Sequence, residues 1–160
     1  MFFNSVTANT GIAFIDMDKV LLTSKVGASV LNQLNAINDK NLKEFKAKES
    51  NLKKKETEIM SQKKLISNEE FQLNISKLKL EVEEYNQERK KSINNLNKLK
   101  ISNTNNLLKK INPILIKYSN EKSISIILQK KDLIIGKMEL DITDKVIKII
   151  NNEIKEFKIE

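Results

Sequence analysis

Asp16 and Asp18 are the first side chains in the sequence whose spacing could support acid–base chemistry or hold a metal. Paired carboxylates do such work together with a general base, further ligands or a glycine-rich phosphate loop. The sequence has no histidine and no cysteine, and this excludes the commonest general base, thiol chemistry and the usual zinc ligands. We therefore interpret the two aspartates as the polar exit of a short strand. We expect no enzymatic activity, no catalytic residue, no bound metal and no cofactor.

The charge of the chain indicates a binding role instead. Lysine and arginine total 29 against 21 acidic residues, a formal net charge of +8, and Arg89 is the single arginine. A positive field attracts acidic partners, such as an anionic membrane surface or an acidic protein. Nucleic acid is the weakest of these candidates, because basic and aromatic residues do not alternate and tryptophan is absent. We expect no nucleic acid partner.

A long segment of the chain predicts two helices. Between residues 24 and 118 there is one glycine, Gly27, and one proline, Pro113, which predicts a kink or a helix restart. Apolar residues recur there at heptad spacing, as in a coiled coil, for example at Phe45, Leu52 and Ile59. The tetrapeptide SNEE at 67–70 fits a capping box and predicts a hairpin tip at 64–68. Residues 24–118 are thus predicted to form an antiparallel coiled-coil arm. No globular interior is then expected to enclose the apolar residues Phe45, Leu52, Ile75 and Val82.

The residues flanking the arm predict a small body at 11–23 and 119–160. Apolar runs at 12–17, 123–129 and 133–138 predict strands. Ser24 is the predicted N-cap of the first long helix, and Thr143 is the predicted N-cap of a last helix. So small a core is marginal alone, which favours self-association. Residues 1–10 are expected to be a signal-peptide remnant or a disordered terminus. The predicted fold class is α+β, mostly α: a small β-rich association body with a long inserted hairpin arm.

Four stretches, in this order, resemble the Skp (OmpH-like) family of periplasmic chaperones. They are the opening strand and helix at 12–27, the tip SNEE, the stretch EYNQERKKS at 84–92, and the ending at 125–155 that contains DITDKVIK. The sequence departs from the family in its asparagine content, in having lysine for most arginines, and at Pro113. The resemblance covers nearly the whole chain and is carried by the order of the motifs.

The resemblance implies a homotrimer whose three helical arms enclose a cavity. It implies an ATP-independent holdase that binds unfolded outer-membrane proteins there and prevents their aggregation. It also implies a periplasmic location and a signal peptide, apparently truncated here. The resemblance is not extended to lipopolysaccharide binding. Such binding would rest on arginine-rich positions, and here only Arg89, Lys90 and Lys91 cluster.

Two groups of arm residues are candidates for contact with a client protein. Leu73 and Leu80 lie about 200° around the helix from the heptad position of Phe71, so helix pairing does not explain them. With Met60 and Leu65 they are predicted apolar client contacts, although scattered surface leucines are common. The second group is a basic patch, which could instead be a solvated face: Lys53, Lys54, Lys55, Lys63, Lys64, Arg89, Lys90 and Lys91.

Three alternatives remain open at the level of sequence. A structural coiled-coil scaffold or spacer would bind one folded partner and no unfolded chains. A cytosolic prefoldin-like chaperone would share the physics of the arm in another compartment. A basic nucleic-acid binder would show an affinity that falls steeply with salt.

Overall fold

The structure, a computed structural model, describes residues 11–160; the predicted signal-peptide remnant at 1–10 lies outside the described residues. The elements in chain order are β1 (Gly11–Ile15), α1 (Met17–Thr23), α2 (Lys25–Gln62), α3 (Asn68–Glu121), β2 (Ile124–Gln129) and α4 (Thr143–Glu153). Short 3-10 helices cover Lys130–Asp132 and Met138–Leu140. The fold is mostly α with a two-stranded sheet and a long helical hairpin, which confirms the predicted fold class.

The described residues form two compact units. The body unit contains residues 11–33 and 102–160, and the hairpin unit contains residues 34–101. In the body unit β1 and β2 pair in parallel, from Gly11 opposite Ile124 to Ile15 opposite Gln129. The strand at the start of the chain thus pairs with one that follows the whole helical excursion, as predicted. Parallel pairing suits this connection, because neighbouring parallel strands need a long crossover.

The core of the body unit lies between helices. Val20 of α1, Ile111 of α3, and Val146 and Ile150 of α4 are completely buried. Main-chain hydrogen bonds extend this core to the sheet, since Ile142 N–H donates to the carbonyl of Phe14 over 3.0 Å. Each of these residues comes from an apolar run or an amphipathic face, whose burial is the main driving force for folding.

Side-chain caps define both ends of the hairpin. The Gly27 N–H donates to the Ser24 hydroxyl over 3.1 Å at the start of α2, so the predicted N-cap is confirmed. At the tip, α2 ends at Gln62 and α3 begins at Asn68, where the Glu70 N–H donates to the Ser67 hydroxyl over 3.2 Å. The predicted tip at 64–68 therefore coincides with the turn.

The structure departs from the sequence-based expectations at several local positions. The predicted strand at 133–138 is absent from the described residues; 3-10 helices lie on either side, and Ile134 and Ile135 are almost fully exposed. A strand requires a hydrogen-bonded neighbouring strand, and among residues 11–160 none pairs with this segment. The helix does not restart at Pro113, because buried Ile111 and Ile114 hold α3 on both sides of it. A short helix, α1, precedes the first long one, and Asp16 caps it by accepting from the Lys19 N–H over 2.8 Å.

Thr143 was predicted as an N-cap, but it is the first residue of α4. Its hydroxyl instead accepts from the Asp16 N–H over 2.9 Å and donates to the Asp141 carboxylate. Asp141 Oδ1 also accepts from the Thr143 N–H over 2.9 Å, and Lys130 Nζ lies 3.1 Å from its second oxygen. Thr143 is buried because it ties the start of α4 to the end of β1.

The hydrogen bonds at Asp141 predict a pH dependence. Burial alone raises the pKa of Asp141, but hydrogen bonds from Thr143 and Lys130 outweigh it, so the pKa lies below the ordinary 3.8. A carboxyl with a lowered folded-state pKa stabilises the protein above its unfolded pKa and loses that contribution as pH falls through its folded pKa. We expect the Asp141→Asn variant to lose less stability than the unchanged chain as the pH falls below about 4. Urea unfolding at each pH measures the stability, and Asp39→Asn is the exposed control. Identical pH profiles for the Asp141→Asn variant and the unchanged chain would contradict this assignment.

Candidate functional site on the helical hairpin

The hairpin unit is held by a thin apolar stripe. Phe45, Leu52 and Ile59 of α2 are only half-buried, as are Ile75, Leu78 and Tyr85 of α3. Phe45 and Tyr85 meet edge to face with ring centroids 5.9 Å apart. Val82 retains 38% of its exposure. The expectation that Phe45, Leu52, Ile75 and Val82 are not sealed in a globular interior is thus confirmed.

Ion pairs replace apolar contacts at the polar heptad positions. Lys48 pairs with Glu88, and Lys55 Nζ lies 2.6 Å from a Glu81 carboxylate oxygen. As residue numbers rise along α2 they fall along α3, which shows that the helices are antiparallel. The hydrogen bond to Glu88 raises the pKa of the Lys48 ammonium. Sequence reasoning missed both of these cross-helix pairs.

All four predicted client contacts are exposed. The exposed fraction is 54% for Met60, 82% for Leu65, 54% for Leu73 and 67% for Leu80. Leu65 lies in the turn between the helices, while Leu73 and Leu80 lie two turns apart on one face of α3. Since these side chains contribute little to pairing within the hairpin, their apolar surface is available to a partner.

The predicted basic patch is divided along the hairpin. Lys53 pairs with Glu49 at 2.9 Å and Lys55 pairs with Glu81, while Lys63 Nζ lies 5.6 Å from the ring centroid of Phe71. The cross-helix pairs place the basic run at 89–91 about 12 Å along the axis from the run at 53–55. Lys54 and Lys64 are exposed, as are Arg89, Lys90 and Lys91. The patch is therefore three separate basic runs, and ion pairs partly neutralise the run at 53–55.

Sequence reasoning missed an apolar groove on the hairpin unit. Leu42 and Ile93 are 56% and 52% exposed and line a groove of about 280 Å³ together with Phe45, Leu96 and Arg89. Leu42 and Ile93 fall outside the heptad positions, which is the signal that could have singled them out. The groove is open and shallow, so it suits transient contact with an apolar side chain.

The body unit carries a second apolar surface, also missed as such. Ile116 of α3 and Ile126 of β2 are 61% and 48% exposed, and Ile134, Ile135 and Met138 follow at 104%, 90% and 78%. An adjoining groove of about 490 Å³ is lined largely by apolar side chains of β1, α3 and β2. Exposed apolar side chains that form a contiguous patch mark an interaction site, and these residues are candidates for one.

The residues that could have carried chemistry are accounted for structurally. Asp16 caps α1, and Asp18 lies exposed in the first turn of that helix. Among residues 11–160 there is no group of three or more acidic side chains that could hold a metal ion. None of the helices in this part of the chain is both long enough and apolar enough to cross a membrane.

Comparison with known proteins identifies the family. The family described as "Outer membrane protein (OmpH-like)" matches residues 11–150. The chain belongs to the OmpH-like family. The family resemblance predicted from the four sequence stretches is thereby confirmed.

A solved relative shares the OmpH-like fold. It is the crystal structure of "a putative outer membrane chaperone (OmpH-like)" from Caulobacter crescentus CB15. The two chains are 14% identical, with a TM-score of 0.87 over 94% of this chain and 89% of the other. At this identity the likeness concerns the fold alone. No curated protein gives a significant match to the chain.

Proposed function

We propose that this OmpH-like protein is an ATP-independent holdase chaperone of the periplasm that binds unfolded outer-membrane proteins and prevents their aggregation. The observation that carries the proposal is the set of exposed apolar side chains on a hairpin whose own interior is only half-buried. Family membership supports it, and the relative of the same fold is described as an outer membrane chaperone.

Weak, distributed contacts suit the retention of an unfolded chain. Full burial of one leucine side chain contributes roughly 1.5–3 kcal/mol, and burial against an exposed helix face contributes part of that. Several such contacts together retain a client, while each one breaks rapidly. Release then requires no nucleotide, because no single contact is strong.

We further propose that copies of the chain self-associate through the apolar surface of the body unit, as a homotrimer whose hairpins enclose the client. β2 supports this, since among the described residues it pairs on one side only and leaves Ile126 exposed. Sedimentation equilibrium should give three times the chain mass, and Ile134→Lys/Ile135→Lys should shift the mass toward that of one chain. A monomer at tens of micromolar would contradict self-association.

Charge on the hairpin adds an electrostatic contribution. Exposed Lys54, Lys64 and Lys90 raise the rate of encounter with acidic clients, and in the same way with an anionic membrane surface. This contribution falls with ionic strength, whereas apolar contacts do not. Holding that persists in about 0.5 M salt would assign the binding to the apolar residues.

The direct test of the holdase is aggregation of a diluted client. A urea-unfolded outer-membrane β-barrel protein is diluted into buffer without nucleotide, and light scattering is followed with increasing amounts of this chain. We expect scattering to fall to near zero at about one assembly per client. Unchanged scattering at tenfold excess would refute the proposed function. Binding of one folded partner and of no unfolded chain would favour a scaffold.

A further inference from the structure

Residues 154–160 lie against the body unit without regular secondary structure. α4 ends at Glu153, and Ile154 turns the chain into an extended conformation with φ −105° and ψ 99°. Phe157 lies beyond the end of α4 and is 8% exposed. The segment contacts Gln33 of α2 and Asn103 of α3, both in the body unit.

Two carboxamide side chains hold the main chain of this segment. Asn103 Nδ2 donates to the main-chain oxygen of Glu160 over 3.0 Å, and its Oδ1 accepts from the Glu160 N–H over 3.1 Å. Gln33 Nε2 donates to the Phe157 carbonyl over 2.9 Å, and its Oε1 accepts from the Ile159 N–H over 3.4 Å. Each amide thus uses both its donor and its acceptor, as a neighbouring strand would.

These contacts do not depend on the sequence of the bound segment. The four hydrogen bonds reach main-chain atoms, and among side chains Phe157 is the buried anchor, while Lys155, Glu156 and Lys158 are exposed. Lys110 Nζ lies 5.7 Å from the Phe157 ring centroid. The groove therefore selects an extended main chain with one apolar side chain.

Gln33 is held by its own helix as well as by the segment. Gln33 Nε2 also donates to the Ser29 hydroxyl over 3.2 Å, within α2. Asn103 of α3 is 1% exposed, and residues 154–160 contribute to its burial. A hollow of about 400 Å³ adjoins the Phe157 anchor, with Lys109 and Lys110 on one side and Glu156 and Glu160 on the other. The lysines favour an occupant with acidic residues next to its apolar anchor.

We propose that the groove between Gln33 and Asn103 is a binding site for an extended polypeptide segment of the client, and that residues 154–160 occupy it until a client displaces them. This inference rests on the proposed holdase function and deepens it. Unfolded β-barrel segments combine an extended main chain with alternate apolar side chains, which is the chemistry that the groove accepts. The segment regulates client entry by competition.

Hydrogen exchange on the full chain tests the displacement. The N–H groups of Ile159 and Glu160 are protected by Gln33 and Asn103, so saturation with an unfolded outer-membrane protein should raise their exchange rates at least tenfold. The Ile154 N–H, which donates to the Ile150 carbonyl over 2.8 Å, is the internal control and should not change. Unchanged exchange of Ile159 and Glu160 with client bound would overturn the inference. Exchange that rises with protein concentration alone would also overturn it, by assigning the groove to a second copy.

A peptide experiment tests the groove without any client. Fluorescein-labelled KEFKIE, residues 155–160, should bind the Phe157→Ser chain at least tenfold more tightly than the unchanged chain, by fluorescence anisotropy. The labelled peptide KESKIE is the matched control and should bind neither. Circular dichroism verifies that the Phe157→Ser variant is folded. If the variant is unfolded, hydrogen exchange on the unchanged chain tests the groove instead.

The two proposals fail separately. Suppression of aggregation together with unchanged Ile159 exchange removes the groove and keeps the holdase. Failure to suppress aggregation removes the holdase, whatever the exchange result. Absence of KEFKIE binding to the folded Phe157→Ser chain removes the groove alone.

Discussion

Alanine at position 27 is expected to lower the free energy of unfolding by about 3 kcal/mol, although it replaces a glycine within a helix. In an unconstrained helix interior the same substitution stabilises by up to about 1 kcal/mol. Here a Cβ at Gly27 would lie 1.9 Å from the carbonyl oxygen of Leu21 in α1. The Leu21 carbonyl belongs to the main chain and cannot rotate away, so the turn between α1 and α2 must open. The change is measured by urea unfolding of the body unit in the full chain.

Gly136→Ala is the matched control for Gly27→Ala. A Cβ there would lie 2.9 Å from the ring edge of Phe14, and a ring can tilt by a few tenths of an ångström more easily than two helices can separate. We expect its cost to be well below that at position 27. A Gly27→Ala chain as stable as the unchanged chain would contradict the close approach of α1 and α2.

Serine at both position 73 and position 80 is expected to weaken client binding about tenfold while leaving folding and assembly intact. A tenfold loss corresponds to about 1.4 kcal/mol. Each position then contributes about 0.7 kcal/mol, which is roughly a quarter to a half of the contribution of one fully buried leucine. Both side chains are more than half exposed, so the hairpin loses little packing when they are truncated. The loss is measured as the dissociation constant for an unfolded outer-membrane protein.

Leu22→Ser is the matched control, because Leu22 is 58% exposed but belongs to α1 in the body unit. It should leave client affinity unchanged. Equal losses from Leu22→Ser and from the double variant would indicate nonspecific apolar binding. Loss of assembly in the double variant would place Leu73 and Leu80 in packing instead.

Features set by neighbouring residues could be predicted from the sequence. The caps at Ser24 and Ser67 need only a hydroxyl and an N–H three residues later, so sequence position fixes the partners. The exposure of Leu73 and Leu80 follows from helical geometry alone, because it depends on their angle from Phe71 on the same helix. The turn near the tip was predicted within a few residues, because the capping box at 67–70 marks the start of the second helix.

Features set by distant residues could not be predicted. Thr143 carries the sequence signal of an N-cap, but Asp16, far away in the chain, determines its role. Residues 133–138 have strand composition, yet no strand in the described part of the chain pairs with them. The groove at Leu42 and Ile93 depends on how α2 and α3 are rotated against each other, and the groove at Gln33 and Asn103 on where residues 154–160 return. None of these distances is encoded in a local pattern.

Photo-crosslinking from the hairpin tests the central claim most directly. A benzophenone amino acid is placed at position 73, 80 or 22 in the full chain, which is then irradiated with an unfolded outer-membrane protein. The account predicts crosslinks to many client segments from positions 73 and 80 and few from position 22. Crosslinking from position 22 alone, or from none of the three while aggregation is still suppressed, would contradict a client held on the exposed apolar face of the hairpin.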